Sequence, residues 1–488
     1  MKQQDFALHA LRPLDGRYEP SVKALRVYFS EYATIKARTS IEIKYFLALC
    51  AHPKIKNLQD FPQEGKDFMQ GIVDNFSEQD AIAIKKIEQT TNHDIKAIEY
   101  FIKEKMEEGG YARNKEKTKE YKEMVHFGLT SQDVVHTAFG CLLKEAFEEV
   151  LCPNLLQLIE SIVYKAATWR DIRMLAHTHG QPAAPTTLGK EMIVFCMRLI
   201  KQLQILNKMS ITAKFGGAVG NLTAHKFAYK DVDWNDFANK FVAGLGLVRN
   251  YPTTQIDHYD DLAAFLDAWR RVQVILLDFA RDMWQYISMD YFLLKVNTEE
   301  TGSSTMPHKI NPIDFENAEG NLGLANALCT HLSTKLPVSR LQRDLSDSTV
   351  LRNVGTLFGY TLLALKGLQK GLAKVRPNRA KINEDLKKDW KLVGEGIQSI
   401  LKREGFPKPY ETLKELTRHN KKLAKAKITS FIKSLKAPES VKQELLKVKP
   451  ENYIGLFQEL EKGLKESLEE IKASERIEKT IEASQKAN

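Results

Sequence analysis

The chain has 488 residues, with 72 Lys and Arg against 62 Asp and Glu for a net charge of +10, 43% hydrophobic residues, 26 Gly and 16 Pro. That balance is typical of a folded globular protein and excludes disordered, collagen-like and mucin-like chains; at roughly 100–200 residues per domain the length suggests about two to four domains. No stretch reaches the 18 or so consecutive apolar residues of a membrane helix, and the opening MKQQDFALHALRP lacks the apolar core of a signal peptide, so the expected address is the cytoplasm.

In chain order, the first landmark is Tyr111 to Tyr121, a charged stretch after two glycines that reads as a loop or linker closing a first domain. Asp133 to Trp169 has a helical pattern interrupted at Pro153, where loss of an amide donor and the ring's clash with the preceding turn predict a kink. After Pro185 and Thr186, Leu188, Met192, Phe195, Leu199, Leu203 and Leu206 share one helical face, with no Gly or Pro between Lys190 and Ser210. The most regular segment is Asp261 to Lys295. There Leu262, Phe265, Trp269, Val272, Leu276, Phe279 and Met283 alternate in steps of three and four, the heptad seam of a long helix.

Past Gly371 the chain turns Lys-rich and punctuated (VRPN, GFPKPY, KAPES, VKPEN), which predicts a domain of shorter helices. From about Gly463 it reads as a charged helix or a frayed tail. Alternating β-branched runs are scarce, so no large sheet is expected. The fold class is therefore all-α, with segments 1–119, 120–372 and 373–488 and a central bundle of long helices. Three rods of about 25–35 residues side by side carry more apolar surface than one short bundle covers, which predicts self-association through a multi-helix core.

The five cysteines are odd in number and never spaced as CxxC, so they are expected as reduced, packed residues rather than disulfides or zinc ligands. The charge is uneven: from Leu401 to Asn488 there are 20 Lys and Arg against 14 Asp and Glu, so most of the excess is C-terminal. Interleaved with acids and short of aromatic company, it reads as a solvated face and not as a nucleic-acid patch.

The chemistry is expected where the helical pattern breaks. Gly302 to Pro312 (GSSTMPHKINP) combines serines, a lysine and an asparagine in a loop suited to neither core nor helix. Serine hydroxyls with the Lys309 ammonium make a carboxylate or phosphate site, and a helix starting after Pro312 would add its positive N-terminus. By spacing alone, a solvated loop is an equal alternative.

The segment resembles the signature loop of the fumarase/aspartase superfamily, GSSxMPxKxNP. TTNHD (Thr90 to Asp94), LTSQD (Leu129 to Asp133), THGQP (Thr178 to Pro182) and LPVSRLQRDLSDSTVLRN (Leu336 to Asn353) resemble its adenylosuccinate lyase family, and DGRY (Asp15 to Tyr18) and KPYE (Lys408 to Glu411) agree with the longer bacterial-type branch. The resemblance implies a three-domain, all-α subunit in a homotetramer whose sites draw on three chains, with no metal or other cofactor. It implies elimination of fumarate from adenylosuccinate, giving AMP, and from succinylaminoimidazole carboxamide ribotide, giving the carboxamide. Argininosuccinate lyase, fumarase and aspartase are the alternatives within the superfamily, and a catalytically silent structural protein on the same scaffold is the alternative of a different functional class.

On that resemblance Ser303 is the base and His179 the acid, with Glu316 orienting the imidazole; His93 is a second candidate acid or base, and Ser304 a second candidate for the base. Serine is a weak base by its free acidity, so Ser303 requires an alkoxide stabilised by Lys309 and loop amides in a closed, dry site. Lys309 and Asn311 would hold the doubly charged carboxylate that develops on proton removal. Ser304, Asn92, His93, Asp94, Thr130, Ser131, Gln255 and Asn317 are expected along the substrate. On residues alone, His93 reads as a helix N-cap ahead of a catalytic group, and Thr130 and Ser131 as caps for the helix near Asp133. Arg17 beside Tyr18, with Arg343, Ser348, Thr349 and Arg352, is expected to hold phosphate and dicarboxylate, since the planar guanidinium fork matches phosphate oxygens. The expected partners are succinyl nucleotides, AMP, fumarate and further copies of the chain, not nucleic acid or membrane.

Overall fold

The computed structural model describes residues 7–109, 115–295, 306, 309–388, 390–418, 423–474 and 477. Five long helices form its centre: Cys152–Thr168, Leu188–Lys208, Asp260–Ser288, Ile313–Lys335 and Val354–Lys374. The first packs on the second and so on around, and the first also meets the last, closing a bundle. In chain order the helices used below are α1 (Glu31–Ala51), α2 (Glu78–Thr91), α3 (Asp94–Glu108), α4 (Lys115–Lys122), α5 (Ser131–Ala146), the five bundle helices α6 to α10, and α11 (Phe457–Lys472).

The seam expected between Asp261 and Lys295 is the buried face of α8: Leu262, Phe265, Trp269, Val272, Leu276, Phe279 and Met283 are all in the core. The helix starts with Asp260 and Asp261, which complement the positive end of its dipole, and at roughly 1.5 Å per residue it runs about 43 Å. The expected face of α7 is likewise buried from Leu188 to Leu206. At Pro153 the expected kink takes the form of a π-helical turn, Phe147–Leu151, directly upstream, and Pro153 sits in the first turn of α6. The Asn154 side-chain amide donates to the Val150 carbonyl across this break at 2.7 Å.

Strands are confined, among the described residues, to three two-stranded pairs. The one that matters for function is the antiparallel hairpin of β1 (Arg173–Thr178) and β2 (Gln181–Thr187), which packs on the helix Arg379–Lys387. All five cysteines are free, four of them buried. No described helix is long and apolar enough to cross a membrane.

One sequence expectation is corrected. Residues 115–121, expected in a linker, belong to helix α4 (Lys115–Lys122), which lies across the expected junction at 119–120. Its Tyr121 is buried against Phe61 and donates to the Asp60 carbonyl at 3.2 Å, a long-range anchor that a charged neighbourhood conceals. One large core runs through both the first and second expected segments, whereas Val393, Ile397, Leu401, Leu423, Ile432 and Leu445 belong to a separate core of short helices.

At the C-terminus the sequence leaves two forms open. Of the two forms expected after Gly463, the charged helix is the one seen, and it is docked rather than frayed: α11 packs along α7, and its Phe457, Leu464 and Ile471 join the large core. Arg170 pairs with Glu461 at 3.2 Å, and Lys472 pairs with Glu160. Leu464→Ala should therefore cost about 2–4 kcal/mol in denaturant unfolding, the range for a truncated core leucine; a loss below about 0.5 kcal/mol, usual for surface sites, would contradict the docking.

Candidate active site

A cavity of about 470 Å³ opens where α2, α3, α5 and the segment before α10 meet. Its polar wall gathers Asn92, His93, Asp94, Ser131, Arg343, Ser348 and Arg352, and its apolar wall includes Phe29, Phe139 and Leu142. Local rules explain most of the polar placements. Asn92 ends α2 with a left-handed φ of 50°, a conformation asparagine tolerates. His93 caps α3, its Nδ1 accepting the Lys96 amide at 3.0 Å.

That cap decides the ring's chemistry. With Nδ1 engaged as an acceptor, the neutral imidazole carries its proton on Nε2, which lies 3.4 Å from Ser131 Oγ. His93 thus offers a donor to the cavity. Asp94 is held by Arg38 at 2.8 Å. Burial opposes its charge, but the Arg38 guanidinium and the Ile95 amide keep the carboxyl below its usual range. Arg38 and Gln132, both lining the cavity, were missed from sequence: Arg38 sits in the largely buried helix α1, and nothing local reveals its contact with Asp94.

Thr130 is the N-cap of α5, and its amide donates to Asp133 at 2.8 Å, so the cap reading of LTSQD holds for the backbone while Ser131 and Gln132 face the cavity. Asp133 turns inward. Fully buried, it accepts Lys214 Nζ at 2.7 Å and the amides of Gly216 and Gly217. Burial drags the Lys214 ammonium below its ordinary range, opposed by Asp133. Thr349 is exposed on the short helical turn Ser346–Leu351, beside Ser348.

The remaining expected residues lie in three other groups. His179 and Gly180 are the two turn residues of the β1–β2 hairpin, in register between Thr178 and Gln181, with φ of 52° and 69°. Positive φ at both positions is what a tight type I′ hairpin turn requires, and it presents the His179 ring to solvent. At the start of α9, Asn317 Nδ2 donates to Tyr18 Oη at 3.4 Å, Arg17 lies 5.9 Å from the Tyr18 ring centre, and Glu316 accepts the Trp284 indole N–H at 3.0 Å. Lys309 and Asn311 directly precede that helix, Lys309 exposed and Asn311 half-buried. Gln255 is half-buried in the loop ahead of α8. None of these lines the cavity of the same chain among the described residues, and Glu316 is engaged by Trp284 while its expected partner His179 is on the hairpin. Ser303 and Ser304 lie outside the described residues.

Comparison with known proteins agrees with the fold and the motifs. A family profile described as "Lyase" matches residues 16–326 and one described as "Adenylosuccinate lyase C-terminal" matches 339–454. The chain is 52% identical to the adenylosuccinate lyase of Dictyostelium discoideum over 92% of this chain and 97% of that protein. It is 46% identical to that of Escherichia coli K12, over the same shares. Among solved structures, 3-carboxy-cis,cis-muconate lactonizing enzyme from Pseudomonas putida superposes with a TM-score of 0.69 at 18% identity over 92% of this chain and 98% of that one, a likeness of fold. Two matching profiles across most of the chain and relatives near half identity over nearly its whole length establish that the protein belongs to the adenylosuccinate lyase family, a family of lyases.

Proposed function

We propose that the protein eliminates fumarate from adenylosuccinate, releasing AMP, and from succinylaminoimidazole carboxamide ribotide, releasing the carboxamide ribotide. The observation that carries this reading is the cavity that brings Arg343, Arg352 and Ser348 to face the Asn92–His93–Asp94 turn and Ser131. Guanidinium forks and hydroxyls on one wall suit a phosphate or carboxylate, and this cavity has the size of a small-molecule site. A phosphate subsite favours a nucleotide over argininosuccinate, malate or aspartate, none of which carries phosphate.

In the reaction, Ser303 as alkoxide removes the proton beside the succinyl carboxylate. The electron pair left on carbon forms the double bond of fumarate as the carbon–nitrogen bond breaks, and His179 protonates the departing nitrogen. Lys309 and Asn311 stabilise the charge that builds on the carboxylate, with Ser304 beside them. Thr130, Gln255, Asn317, Tyr18 and Thr349 contact the substrate, Arg17 supplements the phosphate site, and Glu316 orients His179. The capped ring of His93 supports a donor's part for it.

The separation of the hairpin, the α9 start and the cavity within one chain supports a homotetramer in which different copies complete each site. Exposed apolar residues on the bundle point the same way: Val274 and Trp284 on α8, and Ile313 and Leu324 on α9. Purified protein given adenylosuccinate, with no metal or other cofactor added, should form AMP and fumarate in equal amounts. Ser303→Ala should lose nearly all turnover. A folded protein that forms neither product would overturn the reading and favour another superfamily substrate or a silent scaffold, and a Ser303→Ala variant that kept most activity would overturn the base assignment.

A further inference from the structure

Arg343, Ser348 and Arg352 sit on a connection between α9 and α10 that is largely irregular apart from the turn Ser346–Leu351. From Pro337 to Val350 one side chain is buried, and it is the carboxylate of Asp347, 2% exposed. Leu336 and Leu351 close the segment at its ends, so its middle has no apolar anchor. Asp347 instead accepts the phenol hydroxyl of Tyr259 at 3.0 Å.

Tyr259 is placed for this contact at some conformational cost. It is fully buried at the N-cap of α8 with φ of 60°, a left-handed conformation that is an outlier for a bulky side chain and persists only where surroundings over-determine it. Its amide donates to Asp257 Oδ2 at 2.8 Å, Asp257 accepts the Asn250 amide at 2.7 Å, and the His136 ring lies edge-on to the phenol at 5.1 Å. On the cavity side, Gln132 Nε2 reaches Ser348 Oγ at 3.4 Å.

We infer that Tyr259 and Asp347 are positioning residues that fix the anion-binding segment Arg343–Arg352 to the start of the longest bundle helix. The inference rests on the proposed function for the substrate, since neither side chain touches it: Tyr259 does not line the cavity, and Asp347 acts through Ser348 and the arginines. A segment held in place before binding pays its ordering entropy in advance, so the anchor sets affinity and leaves the proton-transfer step alone.

Tyr259→Phe removes only the hydroxyl. It should raise KM for adenylosuccinate about tenfold or more, the effect expected for a lost hydrogen bond to a charged group, with kcat unchanged. Amide hydrogen exchange at residues 343–352 should quicken in the variant while exchange in α8 stays as it was. Asp347→Asn, which keeps an oxygen for the phenol, should lie closer to the parent in KM than Asp347→Ala. An unchanged KM, or a fall in kcat at constant KM, would overturn the inference, as would unchanged exchange at 343–352. If the parent protein does not convert adenylosuccinate, the functional reading fails alone: quickened exchange at 343–352 in Tyr259→Phe still supports the anchor, and unchanged exchange still overturns it.

Discussion

His179→Asn is expected to lower kcat by about 10²–10⁴-fold, the usual share of a positioned general acid, with little change in KM or melting temperature. Asparagine is the informative replacement because position 179 has φ of 52°, which asparagine adopts readily while alanine would add backbone strain to the loss of the imidazole. The ring is exposed on a two-residue turn, so its removal leaves no core cavity. Turnover within tenfold of the parent would remove His179 from the mechanism.

Asp133→Ala is expected to be the most damaging change for stability, costing about 3–5 kcal/mol, because it strands a buried ammonium. Lys214 and Asp133 are both fully buried, and the same carboxylate takes the Gly216, Gly217 and Thr130 amides, so its loss leaves the cation with the Gly217 carbonyl but no counter-charge and strips several donors at once. Replacing both partners, as Asp133→Leu with Lys214→Met, should recover much of that loss, since the desolvation of two charges offsets most of what the pair contributes. Denaturant unfolding of the parent and the two variants checks both statements; a cost below about 1 kcal/mol for Asp133→Ala would mean that water reaches Lys214.

What the sequence makes legible here follows from the range of the interactions involved. A helix seam is local and periodic, so Leu262 to Met283 and Leu188 to Leu206 could be assigned directly. Pro153 was readable for the same reason, since its missing amide acts within one turn, although the form of the break, a π-turn, depends on packing. Charged composition misled at Tyr121, whose few apolar contacts come from residues about sixty positions earlier, and α11 left open whether its charged sequence would dock. His93 illustrates two readings that proved compatible: its Nδ1 caps α3 while its ring lines the cavity. The cavity residues carried by motifs were found on resemblance, whereas Arg38, Tyr259 and Asp347 act through pairings across 56 and 88 positions of chain that no local pattern encodes. The sequence also could not tell which candidate residues share one chain's cavity. That distribution is a property of the fold.

The central claim, a lyase whose sites are completed by different copies of the chain, is tested most directly by mixing two disabled variants. His179→Asn leaves the cavity intact, and Arg352→Gln leaves the hairpin intact; each should be nearly inactive alone. Unfolded together and refolded into mixed oligomers, they should regain adenylosuccinate cleavage at roughly a quarter of the sites, those where an intact hairpin meets an intact cavity from another copy. Mixed oligomers that form and stay inactive would contradict the account, placing hairpin and cavity in separate, independent roles.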